Sequence, residues 1–519
     1  MRITLRRIFS FFVVTQMVFI PAVIPSYAAP GDLDTGFGNG GKVITAVTPK
    51  RDLVSRVRIQ PDGKIVTLGS EELNSGDSFI VRHNADGSLD TDFGNGGSVI
   101  VPGDGSRQLN DFAVLPNGNM VFTGSRFNSL GESGTTATFL LISNGQVGFE
   151  SSVNDFDECP GQRILIQPDG KLVVVALCRY LDAGMIFAMR YNTFGFYDGG
   201  FGGQSQGFMQ TGVVVDHGSE IFAEETNSGY VGDALLQPDG KLVISGGSVG
   251  NRPVLARINP NGTLDTGFGG VGISYGQVPL SGSFHPTGIA IQSDGKIILG
   301  GIDAEFGLYK SLLLRFDPDG TMDTSFGTNG VVQIAEPETN SRGIAAAIAI
   351  QPDGKIICGG TRNGKFAMAR FNTNGSIDAE FGTNGFLITP VGNNPGFDTI
   401  LSLAFQPDGK LLAAGSVRDS ANLYDVGLVR YQAFRSNVSI SGRVLTPNGS
   451  GLRNAAVTLT DPRGLARRVT TSSFGSYAFE NVETGSSYTI AVSSKRYRFA
   501  TRSLDINTNV VNVDFTGSE

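Results

Sequence analysis

Short apolar runs, bounded by glycine, proline or asparagine, recur from residue 31 to residue 435. In the first stretch they are Val43 to Thr45, Val57 to Gln60, Ile65 to Leu68 and Phe79 to His83. Runs this short, with no period of 3.6 residues, predict β-strands rather than helices. Pro61-Asp62-Gly63, between the second and third runs, predicts a tight hairpin. Proline presets φ at the first turn position, and glycine accepts the left-handed conformation that closes the turn. Asn84-Ala85-Asp86-Gly87 predicts a second tight turn after the fourth run.

Two phrases alternate along this region. Gln-Pro-Asp-Gly-Lys, or a close variant, places its glycine at Gly63, Gly118, Gly170, Gly240, Gly295, Gly354 and Gly409. Leu-Asp-Thr-x-Phe-Gly places its phenylalanine at Phe37, Phe93, Phe201, Phe268, Phe326 and Phe381, with a degraded copy at Phe149. Repetition at this period predicts a solenoid, propeller or array, and antiparallel units of four strands fit propeller blades, which protect their edges by closing into a ring. The expected fold is all-β: a seven-bladed β-propeller over residues 29–435.

An arginine recurs five residues before the second turn's glycine and an aspartate three residues after it. The pairs are Arg82 with Asp90, Arg190 with Asp198, Arg257 with Asp265, Arg315 with Asp323, and Arg370 with Asp378. In the second unit both are missing together, replaced by Leu140 and Gly148. Joint loss predicts an ion pair, since half of a buried pair is costly to keep. Arg430 has no aspartate after it, and Asp34 has no arginine before it. These two are therefore expected to meet, with residues 31–46 forming the outer strand of the seventh blade and closing the ring.

Residues 436–519 drop both phrases and alternate apolar runs from Val438 to Phe515 with Gly/Pro turns, which predicts a seven-stranded β-sandwich. The repeated phrases resemble the delta-60 repeat family of exported bacterial proteins. That resemblance implies architecture and export and brings no catalytic residues. Ser441-Gly442-Arg443-Val444, Gly475-Ser476-Tyr477-Ala478-Phe479 and Gly485-Ser486-Ser487-Tyr488 resemble the carboxypeptidase regulatory-like domain, a transthyretin-like sandwich. Related folds act as spacers or carbohydrate-binding-like modules, and no peptidase site accompanies the resemblance.

Arg2, Arg6 and Arg7 precede an apolar run from Ile8 to Ile24, and Ser26-Tyr27-Ala28 supplies small residues before a cut. Residues 1–28 read as a signal peptide, so the mature protein is expected to be secreted or at the cell surface, with no later transmembrane segment. Loss of those three arginines takes the formal charge from -8 to -11. An acidic chain without a basic stripe excludes nucleic acid as a natural partner. A monomer is expected. Cys159 and Cys178 flank one predicted hairpin and are candidates for a disulfide, while Cys358 reads as a small core residue.

Candidate chemistry is sparse. Asp317, Asp319 and Asp323, like Asn259 to Asp265, approach a calcium loop, but Arg315 and Arg257 stand where the first ligand belongs, so no cofactor is expected. Gly246-Gly247-Ser248-Val249-Gly250 matches a nucleophile elbow without the helix that motif needs. Glycine-rich Gly38 to Lys42 leads into a strand rather than a helix, so it offers no phosphate cradle. His83 takes a place held elsewhere by Tyr191, Phe316, Phe371 and Tyr431 and reads as a packed ring; His217 and His285 are assigned to connections. Both tight turns of each unit fall on one propeller face. The opposite face carries irregular connections at 71–78, 126–138, 150–161, 207–232, 302–310 and 417–425. Two of these hold an acidic sector: Asp155, Asp157, Glu158, Asp216, Glu220, Glu224 and Glu225. Variable loops on a rigid frame predict a non-enzymatic binding or scaffold protein whose partner is a glycan or surface protein. The alternative is a propeller hydrolase or lyase using those loop carboxylates.

Overall fold

The computed structural model describes residues 31–519 apart from 72–76, 104–106, 127–137, 153–159, 181–182, 193–195, 197, 204–230, 248–251, 281, 306–307, 335–342, 393–397, 419–422, 433–436, 462–463, 485 and 507–509. Residues 1–30, with the expected signal peptide, lie outside them. No helix among the described residues is long and apolar enough to cross a membrane.

Apart from one short 3-10 turn at Phe201–Gly203, the elements among the described residues are strands. The first sheet pairs Asp52–Ile59, Ile65–Glu71, Ser78–His83 and Ser98–Val101 in chain order, all antiparallel. Four further sheets repeat this order and begin with the inner strands Arg107–Val114, Val231–Leu236, Ser283–Ile291 and Ala347–Ile350, and the sheet that begins with Gly161–Ile166 has three strands among the described residues. The last sheet runs Thr399–Phe405, Leu411–Arg418, Tyr424–Tyr431, and its fourth strand is Lys42–Thr45 from the start of the chain. Lys42 pairs with Val429 and Thr45 with Val426, antiparallel.

The Gln-Pro-Asp-Gly-Lys glycines adopt the left-handed conformation their hairpins require: φ is +86° at Gly63 and +81° at Gly409. Each inner strand lies beside the inner strand of the next sheet, and Thr399–Phe405 lies beside Asp52–Ile59. Apolar cores fill the space between neighbouring sheets. One of them joins Phe37, Val54, Val57, Phe79 and Val81 to Leu412, Val426 and Leu428, and so packs the last sheet on the first. A bulge or register shift recurs in six inner strands just before Arg56, Asp111, Arg163, Ala234, Gly288 and Ser402.

Four sequence readings need correction. Residues 302–310 are not an irregular loop: Ile297–Glu305 and Leu308–Phe316 pair out to Glu305 opposite Leu308. Similarly, Leu411–Arg418 and Tyr424–Tyr431 extend the hairpin to Arg418 opposite Tyr424. His285 lies in a strand, opposite Ile302, rather than in a connection. Phe149 belongs to the outer strand Gln146–Ser152 and is no copy of the Phe-Gly turn, because Asn144-Gly145, with φ of +45° and +81°, closes that hairpin in two residues.

The C-terminal region forms two sheets around one core that includes Val438, Ile440, Val457, Tyr477, Phe479, Ile490 and Phe515. One sheet is Ser476–Glu483, Asn437–Leu445 and Phe515–Thr516; the other is Ala466–Thr470, Ala456–Thr460, Ser486–Ser493 and Arg502–Ile506. Arg502–Ile506 is a strand that no apolar run announced, since it reads Arg-Ser-Leu-Asp-Ile.

Candidate functional site

The arginine and aspartate of each repeat meet across the connection between the third and fourth strands. Arg Nε to Asp Oδ2 is 2.7 Å for Arg82–Asp90, 3.0 Å for Arg190–Asp198, 2.7 Å for Arg257–Asp265 and Arg315–Asp323, and 2.8 Å for Arg370–Asp378. Arg430 Nε lies 2.7 Å from Asp34 Oδ2. The local backbone that brings Asp34 there copies the internal repeats. Asp34 N–H donates to the Arg430 carbonyl and Arg430 N–H to that of Gly41, just as Asp90 N–H donates to Arg82 and Arg82 N–H to Gly97.

Two partners escaped the sequence reading. The lysine that ends each Gln-Pro-Asp-Gly-Lys turn places Nζ on the same carboxylate oxygen, 2.9 Å for Lys64–Asp90 and Lys410–Asp34, and 2.7 Å for Lys296–Asp323. The phenylalanine of the second phrase lies under the guanidinium, with the Arg82 carbon 4.3 Å from the Phe93 ring centre and that of Arg430 4.5 Å from Phe37. Six units are thus clasps of two cations, one carboxylate and one aromatic ring. The signal was present: the second unit, without the arginine and aspartate, also has Asn119 in place of the lysine.

The clasps reach beyond their own sheets. Arg190 Nη1 donates to the Pro260 carbonyl at 2.7 Å, and Arg82 Nη2 to Asn144 Oδ1 at 2.9 Å, each on the following sheet. Arg257, Arg315 and Arg430 make the equivalent bond to the carbonyls of Pro318, Thr373 and Ala85. Burial raises the Asp34 carboxyl, but Lys410 and Arg430 outweigh it and hold it below its ordinary value. The same balance lowers Asp90, Asp265 and Asp378. In Asp198 the Lys171 hydrogen bond is the leading cause of the lowering.

The calcium-like loop is built around cations. Lys296 Nζ sits 2.6 Å from Asp317 Oδ1 and 2.7 Å from Asp323 Oδ2, while Asp319 Oδ1 accepts the Thr321 N–H. Gly38 to Lys42 leads into a strand, and Gly246 and Gly247 end one; Ser248 lies outside the described residues. His83 is buried, with Nε2 2.9 Å from Thr45 Oγ1. His217, Cys159 and the side chain of Cys178 lie outside the described residues, as do Asp155, Asp157, Glu158, Asp216, Glu220, Glu224 and Glu225. Among the described residues no group of three His, Cys, Asp or Glu is arranged to hold a metal.

Cys358 is fully buried, and burial pushes its thiol well above the ordinary range. Only the thiolate attacks a disulfide reagent. Peptide mapping after treatment with such a reagent should find Cys358 unmodified in the native protein and modified in denaturant. Native modification at a rate typical of an open thiol would contradict this placement.

Sheets of antiparallel strands, packed face to face and clasped in one repeating way, define a β-propeller followed by a separate β-domain. Residues 60–93, 237–268, 292–326, 351–381 and 406–433 match the Domain of unknown function (DUF5122) beta-propeller, and 439–517 match the Carboxypeptidase regulatory-like domain; the chain carries both. Four of the five propeller stretches run from the turn glutamine to the stacked phenylalanine, so they bracket the clasp. No curated protein matches the sequence. Similar solved structures include a catalytically inactive virginiamycin B lyase from Staphylococcus aureus, 13% identical, with 75% of this chain and 99% of that chain covered and a TM-score of 0.42. Polysaccharide lyase Uly1 is 12% identical, with 79% and 94% covered and a TM-score of 0.44. A protein of unknown function from Dyadobacter fermentans is 8% identical, with 76% and 98% covered and a TM-score of 0.38. Likeness at this level carries no argument about activity.

Proposed function

We propose that this is an exported binding or scaffold protein: a seven-bladed propeller, closed by its own N-terminal strand, that presents the connections of one face to a glycan or surface protein. One observation carries this reading. The face of the Gln-Pro-Asp-Gly-Lys turns repeats the same clasp from sheet to sheet, whereas connections on the other face differ from one another. Asn363-Gly364 closes Ile356–Arg362 onto Lys365–Phe371 in two residues, while 27 sequence positions lie between Phe201–Gly203 and Val231–Leu236. A frame held constant on one side while the other varies is how recognition loops are carried. Export rests on the N-terminal basic-then-apolar sequence.

The test is an array of cell-surface polysaccharides and proteins, probed with the wild type and with Tyr309→Ala and Lys365→Glu on the variable face. Saturable binding weakened by these changes, and untouched by Asp62→Ala on the turn face, supports the reading. Binding that ignores every variable-face substitution, or no saturable binding to any class, removes it.

A further inference from the structure

The position four residues before the turn glutamine, or before Leu115 in the second unit, is occupied along the inner strands by Arg56, Asp111, Arg163, Asp233, Gly288, Ala347 and Ser402 in succession. Hairpin registers put these residues at one level. Arg56, Asp111, Arg163, Gly288, Ala347 and Ser402 pair with Leu68, Thr123, Val175, Gly300, Gly359 and Ala414, each three rungs from its turn. A bulge stands just before the level in five sheets and takes in Asp233 itself in the fourth, and bulges re-aim side chains. The outcome is a mixed charge cluster that spans non-adjacent sheets. Arg56 of the first sheet stands 3.7 Å from Asp111 on the second and 4.0 Å from Asp233 on the fourth.

Most members of the cluster are fully engaged. Asp111 Oδ1 takes the Phe112 N–H at 2.9 Å and Arg58 Nη2 at 3.2 Å, and its Oδ2 takes the Ile164 N–H at 3.2 Å. Asp233 Oδ1 takes Arg163 Nε at 3.1 Å and its Oδ2 the Ile289 N–H at 3.4 Å. Arg163 also donates to the carbonyls of Gln162 and Gly232. Burial, and then the nearby charge of Arg56, pushes Arg163 down to about 10. Arg56 is the exception. Both carboxylates lie beyond hydrogen-bond length of its guanidinium, yet its side chain is only 16% exposed. A largely desolvated guanidinium without close acceptors is costly, and its planar fork matches an oxyanion in two parallel bonds. Three guanidiniums face two carboxylates here, leaving net positive charge. On the remaining three sheets the level carries Gly288, Ala347 and Ser402, none with a side chain that could reach across to answer that charge.

We propose that the inner strands form an oxyanion site at this level, in which Arg56 takes a carboxylate or sulfate group in bidentate fashion beside Arg163. The ligand is either a free ion or the acidic group of a saccharide. The site lies in mid-strand and does not depend on the variable connections, so its failure and the failure of the binding face are read separately.

Titration calorimetry on the full protein with sodium sulfate, glucuronate and glucose tests it. Saturable binding of sulfate or glucuronate, without binding of glucose, is expected. Equal affinity for the two anions assigns a free-ion site, and glucuronate binding at least about tenfold tighter assigns a saccharide site. Arg56→Gln should weaken binding at least about tenfold. Gly288→Asp provides a second variant that leaves every arginine in place. A Cβ at Gly288 meets its nearest atoms only at 3.8 Å, with Asp233 Oδ2 at 3.9 Å, so the new carboxylate would stand inside the cluster beside Asp233, and it should weaken binding to a similar extent by adding negative charge there. No saturable binding of either anion, or affinity unchanged in folded Arg56→Gln and Gly288→Asp, overturns the proposal.

Discussion

Arg430→Ala is expected to destabilise the propeller by about 3 kcal/mol, toward the lower end of the range for breaking a buried ion pair. The side chains of Arg430 and Asp34 are 9% and 8% exposed, so removing the guanidinium leaves a carboxylate shielded from water. Lys410 Nζ, 2.9 Å from the same oxygen, remains as a partial partner and keeps the loss from being larger. The arginine also donates to the Ala85 carbonyl on the first sheet and covers the Phe37 ring, so a second sheet loses a contact with it. Asp34→Ala should cost a comparable amount by leaving two cations on one empty position. The double variant Asp34→Ala/Arg430→Ala should cost clearly less than the two singles added together, which is the signature of coupled partners. The second sheet, with Leu140, Gly148 and Asn119, is nature's version of that joint removal. Urea midpoints with their slopes provide the measurement. Single changes that cost under about 1 kcal/mol and simply add would mean that the N-terminal segment is an ornament on the last sheet and closes nothing.

Much of this was legible because the repeat obeys local rules. Gly63 and its six counterparts are glycine because φ must be positive there, and such constraints do not depend on tertiary context. The clasp was half legible. Arginine and aspartate revealed themselves by disappearing together, whereas Lys64 and its equivalents sat inside a phrase already explained as a turn. The errors have physical causes too. Asp303 and Lys310 are polar positions inside 302–310, yet Asp303 is buried within the hairpin, so polarity there did not mean a solvated loop. Pro286 made its neighbour His285 look like a connection. An inner strand is a sheet edge, and its open side tolerates a residue without an N–H. The level of Arg56, Asp111, Arg163 and Asp233 was legible only as an offset from the turn phrase, not as a charge cluster. Those four share no motif, and only the register behind each bulge brings them together.

Acidification from pH 6.5 to about 4 should remove about 3 kcal/mol of stability through His83 alone. Burial pushes this imidazole from its ordinary value of 6.5 down to about 4. Nδ1 is enclosed without a partner, and Nε2 meets only Thr45 Oγ1 at 2.9 Å. Within that window the unfolded chain binds a proton that the folded chain refuses, so stability rises with pH and is lost as pH falls. Above 6.5 both states are neutral and the contribution is flat. His83→Phe tests the assignment, because Phe316 and Phe371 fill the corresponding place in the fifth and sixth sheets and are themselves buried. The variant should match or exceed the wild type near neutrality and lead it by a margin that widens to about 3 kcal/mol near pH 4. Other groups titrate nearby: burial raises the carboxyls of Asp52 and Asp398, which pulls the opposite way by favouring the protonated folded state. They are common to both proteins, so the difference between the two pH profiles isolates the histidine. Profiles that run parallel from neutrality to pH 4 would mean that His83 finds water or a proton acceptor in the folded chain, and that its pocket is not closed.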